Sequence, residues 1–173
     1  MQWSKIRTRL KTLICDTLRD RIDFHQTVYR THHNDVGGLC KCRDARELWI
    51  TIDGLQVFRA SYCKYAHQLF LMWRAGFTQL EQDQAVKNLP SQEIHSPDDV
   101  GTLLRNYLDL DPRISLRSGD PILRALAIID RRIGLRTLKQ LKMKDDEHSL
   151  VRMFYALRLP GQPRSHKRTA STL

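Results

Sequence analysis

The sequence predicts an α+β fold: a three-stranded antiparallel meander with an N-terminal helix and a C-terminal helical cluster packed on one side. Three observations predict it. A helical pattern of apolar residues opens the chain, strand-forming residues around an Asp-Gly turn follow, and further helical patterns fill most of the remainder. The expected order is therefore α-β-β-β-α, followed by three to five helices.

The clearest local signal is a β-hairpin at residues 48–58, which read Leu-Trp-Ile-Thr-Ile-Asp-Gly-Leu-Gln-Val-Phe. Strand-forming residues flank Asp53 and Gly54. Asp-Gly favours a type I′ turn, because both central residues of that turn need positive φ. We interpret Asp53 as a turn residue and the hairpin as the platform on which the helices pack.

The first strand is expected at residues 21–30, where apolar and polar side chains alternate. A long connection at residues 31–46 then leads to the hairpin, and connections of that length are often functional or disordered. The side of the first strand that faces the helices is expected to carry Ile22, Phe24 and Val28.

Apolar residues at helical spacing define the predicted helices. Ser4 and Ser96 are the expected N-caps of two of them, and Gly76 is an expected C-terminal residue. The second helix is expected to be buried, because apolar side chains cover most of its circumference. The predicted helices are residues 3–20, 60–76, 77–89, 97–108, 121–133 and 135–143, with a last one starting at the acidic residues 145–147.

Length and composition suit one globular domain. The chain has 173 residues, of which 41% are hydrophobic. We assign residues 1–158 to a single α+β domain and residues 159–173 to a flexible basic tail. No apolar run approaches the roughly 20 residues of a membrane span, and the N-terminus lacks the apolar core of a signal peptide. We expect a cytoplasmic protein with reduced cysteines and no membrane partner.

Positive charge is segregated along the chain. The net charge is +10, and residues 113–144 carry nine Lys/Arg against two acids, whereas residues 81–112 carry two against seven. Residues 1–31 carry seven against three. Such segregation indicates a basic face, whose usual partners are nucleic acids or acidic proteins, although excess charge also serves solubility.

The basic segment near the C-terminus supplies the candidate binding residues. If its helix is continuous, Arg132, Arg136 and Lys139 align on one face, whereas Gly134 permits a bend instead. Few residues there could read base edges, so contacts to phosphates are easier to defend than sequence recognition. The candidate nucleic-acid-binding residues are Arg124, Arg131, Arg132, Arg136, Lys139 and Lys142, with Lys5, Arg9 and Arg30 as extensions if the first helix packs nearby.

Metal and catalytic chemistry have weaker support. A Cys-x-Cys spacing is not the usual zinc knuckle, and no second paired site appears, so we expect no metal and no cofactor. A cysteine nucleophile with a histidine base is possible in any chain with four Cys and seven His. The metal candidates are His32, His33, Cys40 and Cys42 in one loop and Cys63 with His67 on a helix; the catalytic candidates are Cys40 or Cys63 with His25 or His32.

Two resemblances extend this interpretation. The α-β-β-β-α order of residues 3–76 resembles the topology of double-stranded-RNA-binding domains, although the lysine cluster that opens the second helix of that family is missing. Other stretches are similar to a family of small uncharacterised bacterial proteins, which begin with Trp-Ser-Lys and carry Trp-Ile-Thr-Val/Ile-Asp-Gly. They are Trp3–Lys5, Trp49–Gly54, Leu126–Gly134 and His148–Arg158.

The second resemblance implies a bacterial, cytoplasmic, single-domain protein and carries no activity with it. We therefore expect a non-enzymatic protein that binds an anionic partner, RNA or DNA, through its basic helical face. One alternative is a protein-interaction or immunity-type accessory module that docks an acidic protein. The other alternative is a small zinc- or cysteine-dependent hydrolase.

Overall fold

The computed structural model of the protein describes residues 2–30 and 44–159. Its sheet is a three-stranded antiparallel meander in the order β1-β2-β3, as predicted. The N-terminal helix and the C-terminal helical cluster accompany that sheet, so the α+β fold class is confirmed. The strands are β1 (Ile22–Arg30), β2 (Asp44–Ile52) and β3 (Leu55–Ser61).

The predicted hairpin turn is present between β2 and β3. Asp53 has a φ of 51° and Gly54 a φ of 80°, which are the positive values that a type I′ turn requires. The Asp53 carboxylate also pairs with the Arg21 guanidinium, with 2.7 Å between Nη2 and Oδ2. Arg21 directly precedes β1, so this ion pair ties the turn to the start of that strand. The same contact lowers the pKa of Asp53.

Helices make up most of the remaining chain. Five of them begin with a side-chain cap, and the predicted Ser96 cap is among these. A short 3₁₀ helix at Leu89–Gln92 separates the third and fourth helices. The helices are α1 (Trp3–Leu13), α2 (Tyr62–Arg74), α3 (Gln79–Asn88), α4 (Pro97–Tyr107), α5 (Pro112–Leu116), α6 (Pro121–Ile129), α7 (Leu135–Lys139) and α8 (Ser149–Arg158).

The core lies between the sheet and helices α1, α4, α6 and α8. Ile22 and Phe24 of β1 are buried in it, as predicted. The prediction for Val28 was wrong, because this side chain is 50% exposed. The neighbouring Tyr29 is 53% exposed, so this end of β1 is open to solvent on both faces.

The first helix is shorter than predicted. It ends at Leu13 instead of residue 20, because the next residues pair with the end of α6: Ile14 forms an antiparallel bridge with Asp130. Its N-cap is Gln2, whereas the predicted cap, Ser4, lies inside the helix. The apolar pattern after residue 13 reflects buried residues in turns, such as Leu18.

The prediction that the second helix is buried was wrong. None of the residues of α2 is buried, and Trp73 near its end is 69% exposed. The apolar side chains that cover its circumference are only partly covered by β2 and α3. Gly76 does follow the helix with a φ of 78°, as predicted for a C-terminal glycine.

The basic segment also differs from its prediction. Helix α6 ends at Ile129, and Gly134 is the N-cap of α7. The predicted helix 135–143 is reduced to Leu135–Lys139, with Leu135 half-exposed. The acidic residues 145–147 precede α8, whose N-cap is His148, because the imidazole accepts the hydrogen bond that caps this helix.

Two expectations concern the ends of the described ranges. Leu159, which was assigned to the tail, is buried against the core. The rest of the predicted tail and most of the long connection, with His32, His33, Cys40 and Cys42, lie outside the described residues. None of the helices within residues 2–30 and 44–159 has the length and apolar character needed to cross a membrane.

Candidate functional site

Backbone hydrogen bonds join the end of α1 to the end of α6. The Cys15 N–H donates to the Ile129 carbonyl at 2.9 Å, and the Arg131 N–H donates to the Leu13 carbonyl at 2.7 Å. These bonds join two segments of the chain that are more than one hundred residues apart in sequence. Arg131 is thereby held beside α1 and next to the exposed face of that helix.

A buried carboxylate fixes the same junction from the other side. Asp130 is 1% exposed, and it accepts a 2.6 Å hydrogen bond from the Tyr107 hydroxyl. It also accepts from the Arg132 guanidinium, with Nη2 to Oδ2 at 2.7 Å, and from the Arg132 backbone N–H. Burial and the Asp130 charge raise the pKa of Tyr107, so this hydroxyl stays protonated and donates.

A groove of about 550 Å³ lies where Arg131 meets α1. Its α1 side carries three hydroxyl residues and two cations, and two further arginines complete it. No carboxylate belongs to this lining. We call it the cationic groove, and its residues are Ser4, Arg7, Thr8, Lys11, Thr12, Arg19 and Arg131.

The cations of the groove differ in how far their charge is neutralised. Arg7 donates to both carboxylate oxygens of Asp23, and this contact lowers the pKa of Asp23 and raises that of Arg7. Lys11 lies 3.9 Å from the same carboxylate, and Arg19 pairs with Asp16 at 2.5 Å. Arg131 is exposed and has no ion pair in the described part of the chain.

Two of the three hydroxyl groups of the groove are committed to the helix. The Thr8 hydroxyl donates to the Ser4 carbonyl at 2.9 Å, and the Thr12 hydroxyl donates to the Arg9 carbonyl at 2.7 Å. Their oxygens can still accept, and the remaining donors of the lining are the Ser4 hydroxyl and the guanidinium and ammonium groups. The groove therefore suits an anion that is recognised by charge.

The predicted basic face is divided by the structure. Arg124 is 9% exposed and forms an ion pair with Glu147 at 2.9 Å, without hydrogen-bond geometry at Oε2. Arg132 is bound to Asp130. These two arginines therefore belong to the protein's own packing, and the expected row of Arg132, Arg136 and Lys139 does not exist, because α6 and α7 are separate helices.

The other candidates remain accessible. Arg136, Lys139 and Lys142 are exposed on or after α7, and Arg131 lies in the cationic groove. Among the proposed extensions, Lys5 is exposed, whereas Arg9 pairs with Asp109 at 2.9 Å. Arg30 lies at the end of β1.

Sequence reasoning missed three of the four cations of the groove. Arg7 and Lys11 are at positions i and i+4, which places them on one face of α1. The sequence therefore contained the signal for this pair. Arg19 was predicted to continue the helix. The approach of Arg131 had no sequence signal, because it depends on long-range backbone pairing with residues 13–15.

The alternative chemistries gain no support from the described residues. No three His, Cys, Asp or Glu side chains in residues 2–30 and 44–159 come together in a way that could hold a metal ion. Cys63 and His67 are both exposed on α2. His25 lies on the sheet, where its Nε2 is 3.0 Å from the Thr51 hydroxyl and its ring stacks on Trp49.

Fold and groove together define the class: an α+β protein with a cationic groove between its N-terminal helix and residue 131. The chain matches the model of the SF0329 protein family over residues 2–159 and belongs to that family. The family is one of unknown function, which agrees with the expected membership of an uncharacterised family. No curated protein and no solved structure matches the chain.

Proposed function

We propose that the protein binds the phosphate backbone of nucleic acid through the cationic groove. The observation that carries this proposal is the meeting of Arg7, Lys11, Arg19 and Arg131 in one groove, where Arg131 has no ion pair among the described residues. Lys and Arg that neutralise phosphates release condensed counterions, and this supplies most of the affinity of sequence-independent binding.

Arg131 and Lys11 are the main phosphate contacts in this proposal. Arg7 and Arg19 already hold Asp23 and Asp16, so their charge is partly neutralised, whereas Lys11 lies 3.9 Å from Asp23, too far for a hydrogen bond. Arg131 has a full charge and a fixed backbone, because its N–H is bonded to the Leu13 carbonyl. A cation on a fixed backbone loses less conformational freedom when it binds an anion.

The exposed cations Arg136, Lys139 and Lys142 extend the same contact in this proposal. The groove offers no amide that could read base edges, so binding is independent of sequence. The proposal includes a non-enzymatic protein of the bacterial cytoplasm, and the Trp-Ser-Lys and Trp-Ile-Thr-Ile-Asp-Gly segments support the bacterial origin by resemblance.

The test is a titration of duplex DNA and duplex RNA with the whole protein over a series of salt concentrations. We expect the logarithm of the binding constant to fall linearly with the logarithm of the salt concentration, with a slope of roughly −0.9 per phosphate contacted on B-DNA. Binding that does not weaken as salt rises, or no binding at low salt, would contradict the proposal.

A further inference from the structure

A second cleft, distinct from the cationic groove, lies between β3, the start of α2 and the segments that precede α4 and α8. Its volume is about 260 Å³, and none of its residues lines the cationic groove. Two histidine rings meet edge to face in its wall, with 6.1 Å between the ring centroids of His95 and His148. The cleft is lined by Gln56, Val57, Phe58, Arg59, Lys64, Glu93, His95, His148 and Ser149.

The proton of His148 is fixed by its role as the N-cap of α8. Its Nδ1 accepts the Leu150 N–H at 3.1 Å, and a neutral imidazole that accepts at Nδ1 must carry its proton on Nε2. The Nε2 atom is buried and has no hydrogen-bond partner among the described residues. His148 therefore presents an unused N–H donor, and this proton prevents Nε2 from acting as a metal ligand.

His95 also has a buried ring nitrogen without a hydrogen-bond partner. It is 6% exposed, its ring packs against Phe58 at 4.8 Å, and its Nε2 also lacks a partner among the described residues. Burial, and then the neighbouring His148, lowers the pKa of His95, while Asp120 and Glu93 oppose the shift. Leaving buried polar groups unpaired is costly, so two of them in one cleft make it a candidate site for a hydrogen-bonding ligand.

The mouth of the cleft carries both signs of charge. Arg59 uses Nε and Nη2 to hold Glu47, which leaves Nη1 available, and Lys64 is exposed without an ion pair in the described ranges. Glu93 accepts the Ser149 hydroxyl on Oε1 at 3.1 Å, which leaves Oε2 available. The cleft thus combines several donors with one strong acceptor.

We propose that this cleft binds a phosphomonoester in its singly protonated, monoanionic form. The unprotonated oxygens accept from the Lys64 ammonium, the Arg59 guanidinium and the His148 Nε2–H. The remaining P–OH donates to the Glu93 carboxylate, which would repel an anion that has no proton to give. Sulfate carries no proton at neutral pH, so Glu93 selects phosphate over sulfate.

The experiment is isothermal titration of the whole protein with inorganic phosphate, glycerol phosphate and sulfate at pH 6. We expect both phosphates to bind and sulfate to bind at least tenfold more weakly. In the Glu93→Gln variant, this preference should largely disappear, because an amide no longer discriminates by charge. Equal binding of phosphate and sulfate by the wild-type protein would overturn the proposal.

The variant that isolates the histidine donor is His148→Asn. Asparagine is a good N-cap, so α8 keeps its cap while the Nε2–H is lost. We expect phosphate binding to weaken at least tenfold in His148→Asn and in Lys64→Gln, whose side chain is exposed and does not support the fold. Unchanged phosphate binding in both variants would overturn the proposal.

A comparison of 5′-phosphorylated and unphosphorylated oligonucleotides identifies the source of the phosphomonoester. If the source is a nucleic-acid end, the phosphorylated strand binds more tightly and His148→Asn removes the difference; if it is a small molecule, only glycerol phosphate responds to that variant. Lys87→Gln, at an exposed position that lines neither this cleft nor the cationic groove, should leave phosphate binding unchanged. Failure of the proposal for this cleft and failure of the proposed function are therefore distinguishable, because they are measured on separate variants.

Discussion

The Tyr107 hydroxyl donates a 2.6 Å hydrogen bond to the buried Asp130 carboxylate, and this bond lies behind the cationic groove. Asp130 ends α6, bridges to Ile14 and holds the Arg132 guanidinium. Arg131 lies between Asp130 and Arg132 in the chain, so its backbone is held in place at the groove. A polar cluster in the core thus positions a cation on the surface.

Tyr107→Phe should destabilise the protein by about 1–3 kcal/mol, because a buried carboxylate loses one of its donors. The measurement is the free energy of unfolding in urea. Tyr155→Phe is the matched control, since its hydroxyl donates to the uncharged Leu138 carbonyl at 3.2 Å from a half-buried position. Equal losses of unfolding free energy in the two variants would show that the Asp130 charge does not strengthen the Tyr107 hydrogen bond.

Arg124→Met should destabilise by about 3–5 kcal/mol, because it leaves the Glu147 carboxylate buried without its counter-charge. Adding Glu147→Gln should recover most of the loss. Arg136→Met, on an exposed residue of the same segment, should change the free energy of unfolding by no more than about 0.5 kcal/mol. A stability loss in Arg136→Met as large as that in Arg124→Met would contradict the division of the basic segment.

The fold was predictable because its strongest signals are local. The Asp53-Gly54 turn, the Ser96 cap and strand β1 each depend on neighbouring residues, and each is present in the structure. The predictions fail where contacts between segments distant in the chain determine the structure. Helix α1 ends early because residues 14 and 15 pair with the end of α6, and α2 is exposed although its composition is typical of a buried helix.

The site was predictable only in part, for the same reason. A row of basic residues in the sequence does not reveal which of them have buried acidic partners, and both Arg124 and Arg132 do. Arg131 was among the predicted residues, but its neighbours in the groove come from α1 and the turns that follow it. Their meeting depends on backbone pairing over more than one hundred residues, which no local pattern encodes.

Gly54→Ala should destabilise the hairpin by about 1 kcal/mol, because residue 54 has a φ of 80°, a conformation that L-residues rarely adopt. The added Cβ meets no atom within 4 Å, so the cost is conformational and not steric. Gly101→Ala in α4 is the matched control. It also enters open space but at a helical φ, so thermal unfolding should show a small gain in stability.

Asp23→Asn should make the unfolding free energy less dependent on pH in acid. The Arg7 hydrogen bond lowers the pKa of folded Asp23 below its ordinary value of 3.8, so the native state binds fewer protons than the unfolded state. This contribution to stability is complete above that ordinary value and is lost as the pH falls through the lower, folded pKa.

Urea unfolding of the wild-type protein and of Asp23→Asn at pH 6 and at pH 2.5 measures this effect. The difference between the two proteins should be largest at pH 6 and should shrink at pH 2.5. Asp20→Asn is the control, since Asp20 is exposed and has no ion pair in the described ranges. A difference that grows towards low pH would reverse the expected sign.

The most direct test of the cationic groove is the salt dependence of duplex DNA binding in the double variant Lys11→Gln/Arg131→Gln. Lys87→Gln/Arg113→Gln removes the same charge at exposed positions elsewhere and serves as the control. Binding through the groove predicts that the groove variant loses about two units of salt slope and at least tenfold in affinity, while the control stays close to wild type. Equal slopes and affinities in the two variants would contradict it.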